Sequence, residues 1–250
     1  MEAARILAKK GHKVTIFEKE KRLGGQMYLA MIPPHKADMI GPFMDYLEAQ
    51  LKKSNIEVKL NTESNLESLI KFKPDLVVVA TGAKPILSNI QGIKENNAIT
   101  SFDVLAGKVD TGKTVVIVGG GSAGCETAEY LYTKGKKVTV IEMLADLAAD
   151  MGPRDKLRLL TRITKLPINF RTNTKCTEIK EGCVLVSTKE NSKETIDAET
   201  VVLAIGVTQN NEIYEQLRAH GIEVRIIGDA WHVGRIVGAI GEGFELGWGS

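Results

Sequence analysis

Residues 114–142, TVVIVGGGSAGCETAEYLYTKGKKVTVIE, contain the sequence pattern from which the fold class is predicted. Its first five residues, Thr114–Val118, form an apolar, β-branched run that is typical of a buried strand. Glycines dominate residues 119–124, a helix is predicted over residues 125–133, and a second apolar strand ends at Glu142. A strand, a helix and a second strand in this order predict a βαβ unit in a parallel sheet.

Three glycines between the first strand and the helix have the spacing G-x-G-x-x-G. The first, Gly119, permits a tight turn, Gly121 lets a pyrophosphate approach the backbone, and Gly124 allows close contact between helix and strand. The N–H groups and dipole of the helix stabilise the negative charge. The motif therefore predicts a dinucleotide site, with a purely structural turn as the less favoured alternative. Its members would be Gly119, Gly120, Gly121, Ser122, Ala123 and Gly124.

The acid Glu142 ends the next strand, at the distance where such motifs place a ribose-binding carboxylate. It would oppose a 2′-phosphate by up to about 4 kcal/mol at a separation of roughly 4 Å, so NADH is predicted over NADPH. The alternative is a solvated Glu142, with Arg154 folding back to bind a phosphate. Glu126, in the first helical turn, either contacts the nicotinamide side or only complements the helix dipole.

The chain repeats itself at an offset of 124 residues. KGHKVTIFE, residues 10–18, matches KGKKVTVIE, residues 134–142, at six of nine positions. At the same offset Gly82 aligns with Gly206. Two matches at one offset predict two related βαβ units. Because the strand and glycine loop of the first unit would precede Met1, we expect the chain to be truncated at its amino terminus.

Three further segments have clear patterns. A helix is predicted within residues 35–55, with an apolar face that comprises Met39, Ile40, Phe43, Met44, Leu47 and Leu51. Residues 175–179 and 184–188 alternate around a turn at 180–182 and predict an antiparallel hairpin. EVRIIGDA, residues 223–230, predicts a last strand, followed by a glycine-rich helical stretch from Gly234.

Composition excludes several classes of protein. The 250 residues carry 33 basic and 31 acidic side chains, a balance that favours neither a nucleic-acid nor a membrane partner. Apolar runs are far shorter than the roughly 20 residues that span a bilayer. Cys125, Cys176 and Cys183 lack C-x-x-C spacing, which argues against a disulfide framework, a metal site and an iron–sulfur site. A reducing cytoplasm is the expected location.

Four strings together resemble the carboxyl-terminal FAD/NAD(P)-binding region of the Old Yellow Enzyme-like NADH:flavin oxidoreductases, a group that includes 2-enoate and 2,4-dienoyl-CoA reductases. They are HKVTIFEKEKRLGGQ (12–26), ATGAKP (80–85), GGGSAGCETAEYL (119–131) and IGDAWHVGRIVGAIGEGFE (227–245). The resemblance covers essentially the whole chain. It implies an α/β fold with two Rossmann-like dinucleotide-binding domains. Residues 1–105 and 221–250 would form the FAD domain, and residues 106–220 an inserted NAD(P) domain.

The resemblance also implies roles for individual residues. Glu18 would hold the adenosine ribose of FAD, Thr81 and Gly82 would close over the cofactor, and Asp229 would bind its ribityl or pyrophosphate part. The flavin side would be lined by Gly24, Gly25 and Gln26, and the helix around Glu242 and Gly243 would point its amino end at the flavin. Gly206, the counterpart of Gly82, is assigned to cofactor binding. His232 is either a flavin neighbour or an exposed loop residue.

The implied function is hydride transfer from NADH to FAD within an enoate or dienoyl-CoA reductase-like system. The barrel that carries FMN, and a 4Fe-4S cluster, would belong to an amino-terminal region or a partner chain, so no catalytic residue can be named here. Without the first glycine loop, FAD binding is expected to weaken by roughly 3 to 9 kcal/mol. The alternatives are a nucleotide-binding module without its own turnover and a disulfide-reductase-like flavoprotein, which the scattered cysteines disfavour.

Overall fold

The computed structural model describes residues 1–93, 98–190 and 192–249. It divides into two compact units. Unit 1 comprises Met1–Ala30, Asp38–Lys84 and Val207–Ser250, and unit 2 comprises Met31–Ala37 and Pro85–Gly206. Both units have parallel strand pairs and helices, which confirms the predicted α/β class. The predicted domain bounds remain a prediction: residues 1–105 with 221–250 for the FAD domain, and residues 106–220 for the NAD(P) domain.

The strands, in chain order, are β1 (Val14–Phe17), β2 (Ile56–Lys59), β3 (Val77–Val79), β4 (Ala83–Pro85), β5 (Ile99–Thr100), β6 (Thr114–Val118), β7 (Lys137–Ile141), β8 (Asn169–Arg171), β9 (Thr174–Lys180), β10 (Cys183–Thr188), β11 (Lys193–Asp197), β12 (Thr200–Leu203), β13 (Val207–Gln209) and β14 (Val224–Ile226). The helices are α1 (Glu2–Lys9), α2 (Gln26–Ala30), α3 (Ala37–Lys53), α4 (Leu66–Phe72), α5 (Ser101–Leu105), α6 (Ser122–Thr133), α7 (Pro153–Ile163), α8 (Glu212–Ala219) and α9 (Ile236–Gly249). Gly228–Ala230 forms a single 3₁₀ turn.

Unit 2 is built on a five-stranded parallel sheet in the order β5-β12-β6-β7-β8. The central strand β6 is apolar on both faces because both faces are covered. Val116 and Val118 pack against the antiparallel sheet β11-β10-β9, while Val115 and Ile117 pack with residues of α6. The predicted hairpin is confirmed as β9 and β10. Parallel pairing brings the carboxyl ends of β6, β7 and β12 to one edge.

Helix α6 begins three residues earlier than predicted, at Ser122 rather than at Cys125. Gly121 is its extended N-cap residue, with φ −65° and ψ −177°. The sequence did not predict this start because glycine has a weak helix propensity and Gly124 lies inside the first turn. The earlier start places the first-turn amides directly after the glycine loop.

Unit 1 contains two separate parallel pairs, β1 with β2 and β3 with β14. Helix α3 is confirmed, and its buried face comprises Ile40, Met44, Leu47 and Leu51. Met39 is 69% exposed, so its predicted place on that face is wrong. One residue corresponds to about 100° of helix rotation, which turns Met39 away from the stripe that Ile40 and Met44 begin. Among the described residues, no helix is long and apolar enough to cross a bilayer.

Candidate functional site

The glycine loop between β6 and α6 leaves no space for side chains at two of its positions. Gly119 has φ 107°, and a Cβ there would lie 2.3 Å from the Ala204 carbonyl oxygen. A Cβ on Gly124 would lie 1.9 Å from the Gly119 carbonyl oxygen. The tight turn and the close helix approach that the motif predicts are therefore enforced by sterics.

Gly121 has different surroundings, because its missing side chain faces a carboxylate instead of the backbone. The nearest atom to a Cβ there would be Oδ1 of Asp150, at 3.5 Å, and the next two atoms also belong to Asp150. The N-terminal amides of α6, from Ser122 onward, follow directly. A concave backbone surface at the head of a helix is the geometry that binds a diphosphate, so these residues fit the group that the motif predicts.

Glu142 lies beside this loop at the end of β7 and is only 9% exposed. Its Oε2 accepts a hydrogen bond of 2.6 Å from the backbone N–H of Gly120. Its Oε1 accepts one of 2.8 Å from Leu144 N–H. The carboxylate and the glycine loop are thus brought together as predicted from their spacing.

Asp150, a residue that sequence reasoning did not select, also contacts the head of α6. Its Oδ1 accepts a hydrogen bond of 2.8 Å from Ser122 N–H, and its Oδ2 accepts one of 2.5 Å from the Ser122 hydroxyl. The segment before it is fastened to the same loop, because Ala148 N–H donates to the Gly120 carbonyl at 2.8 Å. Only the three-dimensional path of this segment identifies Asp150, since an acid 28 residues after Ser122 has no motif of its own.

Glu126, in the first turn of α6, forms an ion pair with Lys36 that was also not predicted. The distance from Lys36 Nζ to Glu126 Oε1 is 2.5 Å, and the side chains are 28% and 10% exposed. Both residues belong to unit 2. Burial of a carboxylate is costly unless a cation compensates it, so Lys36 explains how Glu126 remains in this position. Its proposed contact with the nicotinamide stays a prediction.

Gly206 lies two residues after Ala204, the residue that contacts the glycine loop. It has φ 107°, and its carbonyl accepts a hydrogen bond of 3.1 Å from Ile86 N–H. This left-handed conformation favours glycine. The position follows the carboxyl end of β12, at the same sheet edge as the loop.

In unit 1 the structure brings together some of the residues assigned to FAD. The Gln26 amide nitrogen lies 3.3 Å from where a Cβ of Gly82 would be. Thr81 donates its hydroxyl to the Asn210 carbonyl. Glu18 accepts a hydrogen bond of 2.9 Å from Glu20 N–H.

The carboxyl-terminal residues assigned to FAD meet around the 3₁₀ turn of unit 1. Glu242 accepts a hydrogen bond of 2.6 Å from Gly228 N–H, and Asp229 accepts one of 3.1 Å from Gly234 N–H. Gly243 lies in the middle of α9, where a Cβ would be 3.2 Å from the backbone nitrogen of Ala3 in α1.

Three further positions are assigned to the flavin side: Gly24, Gly25 and His232. Gly24 has φ 113°, and a Cβ there would lie 2.3 Å from Cε of Met44. Gly25 has φ 50°, and no described atom beyond its chain neighbours lies within 4 Å of a Cβ placed there. His232 is exposed. Their roles, like the cofactor contacts of the other assigned residues, stay predictions.

Two of the three thiols are buried and hard to ionise. Burial raises the pKa of Cys125 to about 12 and that of Cys176 to about 11. The thiolate is the reactive form of cysteine, so these two side chains are poor nucleophiles. All three cysteines are free.

Comparisons with known proteins identify the family of this chain. The family described as pyridine nucleotide-disulphide oxidoreductase matches residues 1–231. The chain is 43% identical to an NADH oxidase of Thermoanaerobacter brockii over 99% of its length, and 36% identical to a cinnamate reductase of Clostridium sporogenes over 98%. A solved 2-naphthoyl-CoA reductase superposes with a TM-score of 0.90 at 35% identity over 98% of the chain.

The chain spans well under half of these relatives: 39% of the NADH oxidase and 37% of each of the two reductases. The resemblance to the FAD/NAD(P)-binding region of Old Yellow Enzyme-like reductases is confirmed by these matches. With two compact α/β units and a match over residues 1–231, the chain belongs to the pyridine nucleotide-disulphide oxidoreductase family.

Proposed function

We propose that unit 2 binds NADH, with the diphosphate at the head of α6 and the adenosine ribose on Glu142. The observation that carries this proposal is the hydrogen bond of 2.6 Å from Gly120 N–H to Glu142 Oε2, which fixes the carboxylate against the glycine loop. A carboxylate in this place can accept hydrogen bonds from both ribose hydroxyls.

The same carboxylate selects against NADPH. A 2′-phosphate would approach a buried negative charge, which costs up to about 4 kcal/mol at roughly 4 Å. Arg154, which lies in the first turn of α7, is exposed. Because Glu142 would repel a 2′-phosphate, NADH is the proposed nucleotide.

Unit 1 is proposed to contribute to an FAD site. Glu18 would bind the adenosine ribose, while Gln26, Thr81 and Gly82 would line the cofactor and Asp229 would bind its central part. The close approach of Gln26 to Gly82 supports this grouping, and the φ of 74° at Gly82 favours glycine at that position. Bound together, the nicotinamide supplies a hydride and the flavin accepts it. The residues of this chain bind and orient the two groups.

The larger system is proposed from the relatives. An NADH oxidase and a cinnamate reductase are similar to this chain over nearly its whole length, so the chain is proposed to deliver electrons from NADH in a comparable reductase. A barrel with FMN, in the same polypeptide or in a partner, would receive them. The free, scattered cysteines are consistent with a cytoplasmic location.

An anaerobic titration tests the proposed reaction. The purified protein is first supplied with FAD, and its visible absorption is recorded before and after NADH is added. Bleaching of the flavin bands by NADH, with a weaker response to NADPH, is expected. An absorbing FAD complex that NADH leaves unchanged would contradict hydride transfer.

A second candidate is a nucleotide-binding module without its own turnover. It is supported by unit 2 alone, where the glycine loop is complete and Glu142 is bonded to it. A protein that binds NADH but no FAD would support this candidate. Addition of a partner that carries the FMN barrel would then be needed for turnover.

A further inference from the structure

We infer that Asp150 is an internal competitor of the nucleotide: its carboxylate occupies the diphosphate position at the head of α6 and is displaced when NADH binds. This inference rests on the proposed function, because it assigns a further residue to the same site. The site itself is defined by the glycine motif and by Glu142.

The contacts of Asp150 are those that a phosphate would make. Its two carboxylate oxygens accept hydrogen bonds from the backbone N–H and from the hydroxyl of Ser122, at 2.8 and 2.5 Å. The same carboxylate lies 3.5 Å from the position of a Cβ on Gly121. It therefore covers the surface that the motif leaves open for a diphosphate. An anion at this place is stabilised by the helix dipole, whether it comes from the protein or from a ligand.

The neighbouring segment is anchored so that Asp150 can leave while the loop stays in place. Ala148 is fully buried, has φ 49° and donates its N–H to Gly120. Glu142 accepts from the N–H of the same glycine. Asp150 itself is exposed. Rotation of one exposed side chain is a fast motion that needs no change in the buried anchor.

Competition of this kind lowers the affinity for ligands that carry a diphosphate and for no others. NADH must displace the carboxylate and then lies close to its negative charge. Adenosine, which has no phosphate, contacts the Glu142 region only. The effect of Asp150 on affinity should therefore depend on the phosphates of the ligand.

The test compares Asp150→Asn with wild type, using NADH, ADP-ribose and adenosine as probes in calorimetric titrations. The amide oxygen of Asn can still accept from Ser122 N–H, so the fold is retained, and Asp150→Ala provides a second variant. Affinity for NADH and ADP-ribose is expected to rise about three- to thirtyfold, the effect of one charge at a helix head. Affinity for adenosine is expected to stay within about twofold.

The matched control is Asp146→Asn. Asp146 lies in the same segment and forms an ion pair with Lys156. Both variants replace one aspartate by asparagine, so their net charges are equal. Its affinity for NADH should equal that of wild type. The gain in Asp150→Asn should also shrink at high salt, where charge repulsion is screened.

Each outcome has a separate meaning. If wild type and all variants bind no NADH, the proposed function fails. If wild type binds NADH and neither Asp150 variant binds it more tightly, the competitor role is wrong while the proposed function stands. A gain that is equal for NADH and adenosine would also overturn the inference, because a general change in the site would then explain it.

Discussion

Glu142 and Gly120 are joined by a hydrogen bond of 2.6 Å between a buried carboxylate and a backbone N–H of the glycine loop. The bond couples the end of β7 to the turn after β6, which are adjacent parallel strands. A ligand that contacts both the loop and the carboxylate therefore binds two groups whose relative position is already fixed. Preorganisation of this kind reduces the entropic cost of binding.

Reversal of the charge at position 142 should reverse the nucleotide preference. Glu142→Arg removes the repulsion of a 2′-phosphate and adds a cation that can bind it. We expect a preference for NADPH, measured as the ratio of the two dissociation constants. Glu18→Arg is the matched control, because Glu18 is the counterpart of Glu142 in unit 1 and should leave the ratio unchanged. A ratio unaffected by Glu142→Arg would contradict the ribose role.

Gly124 should be intolerant of even one added methyl group. In Gly124→Ala the new Cβ would lie 1.9 Å from the Gly119 carbonyl oxygen, so helix α6 must shift. Overpacking of this kind costs about 1 to 3 kcal/mol. The control is Gly238→Ala in α9, where no described atom beyond the adjacent residues and the helix backbone lies within 4 Å of the new Cβ, and a small gain is expected. Urea unfolding measures both, and equal midpoints would be inconsistent with the clash.

Local patterns predicted the fold well because its signals are short-range. The apolar run Thr114–Val118 and the glycine spacing each act within a few residues of one element. They identified the parallel sheet edge and placed Glu142 next to the loop. The start of α6 was missed because the cap is a glycine instead of a side chain that bonds the helix end.

Two contacts of the site depend on tertiary position, and no local sequence pattern predicts them. Lys36 reaches Glu126 across 90 residues of chain, and Asp150 reaches Ser122 through a loop with a left-handed residue, Ala148. Lysines and aspartates are common on surfaces, so neither stands out in a single sequence. Their partners become visible only when the backbone path is known.

The ion pair between Lys36 and Glu126 should contribute to stability through compensation of a buried charge. Lys36→Met leaves the Glu126 carboxylate without its cation, whereas Lys36→Met combined with Glu126→Gln leaves no charge at all. A double-mutant cycle by chemical unfolding is expected to give a coupling of about 1 to 3 kcal/mol at neutral pH. A coupling near zero would show that solvent already screens the pair.

The buried thiols should react slowly in the folded protein. At about pH 8 only a very small fraction of Cys125 and Cys176 is ionised, because burial raises their pKa values to about 12 and about 11. A chromogenic disulfide reagent should therefore modify both much faster after unfolding than before. Rapid labelling of Cys125 in the folded state would contradict its burial.

The same shifts predict a loss of stability in alkali. The ordinary thiol pKa is 9.0, and the folded-state values are higher. The neutral thiols therefore make their full contribution to the free energy of unfolding below about pH 9. This contribution is lost as the pH rises towards 11 and 12. Cys125→Ala should show a shallower decline than wild type in this range, measured as the unfolding midpoint against pH. An identical decline would exclude a contribution from Cys125.

A calorimetric titration of NADH into the folded wild-type protein, repeated with NADPH, measures whether the head of α6 and Glu142 together form a nucleotide site. If the amides at the head of α6 bind a diphosphate and Glu142 binds the attached ribose, NADH will bind at one site per chain and NADPH will bind more weakly. Absence of binding heat with NADH in folded protein, or equal affinity for the two nucleotides, would contradict the account.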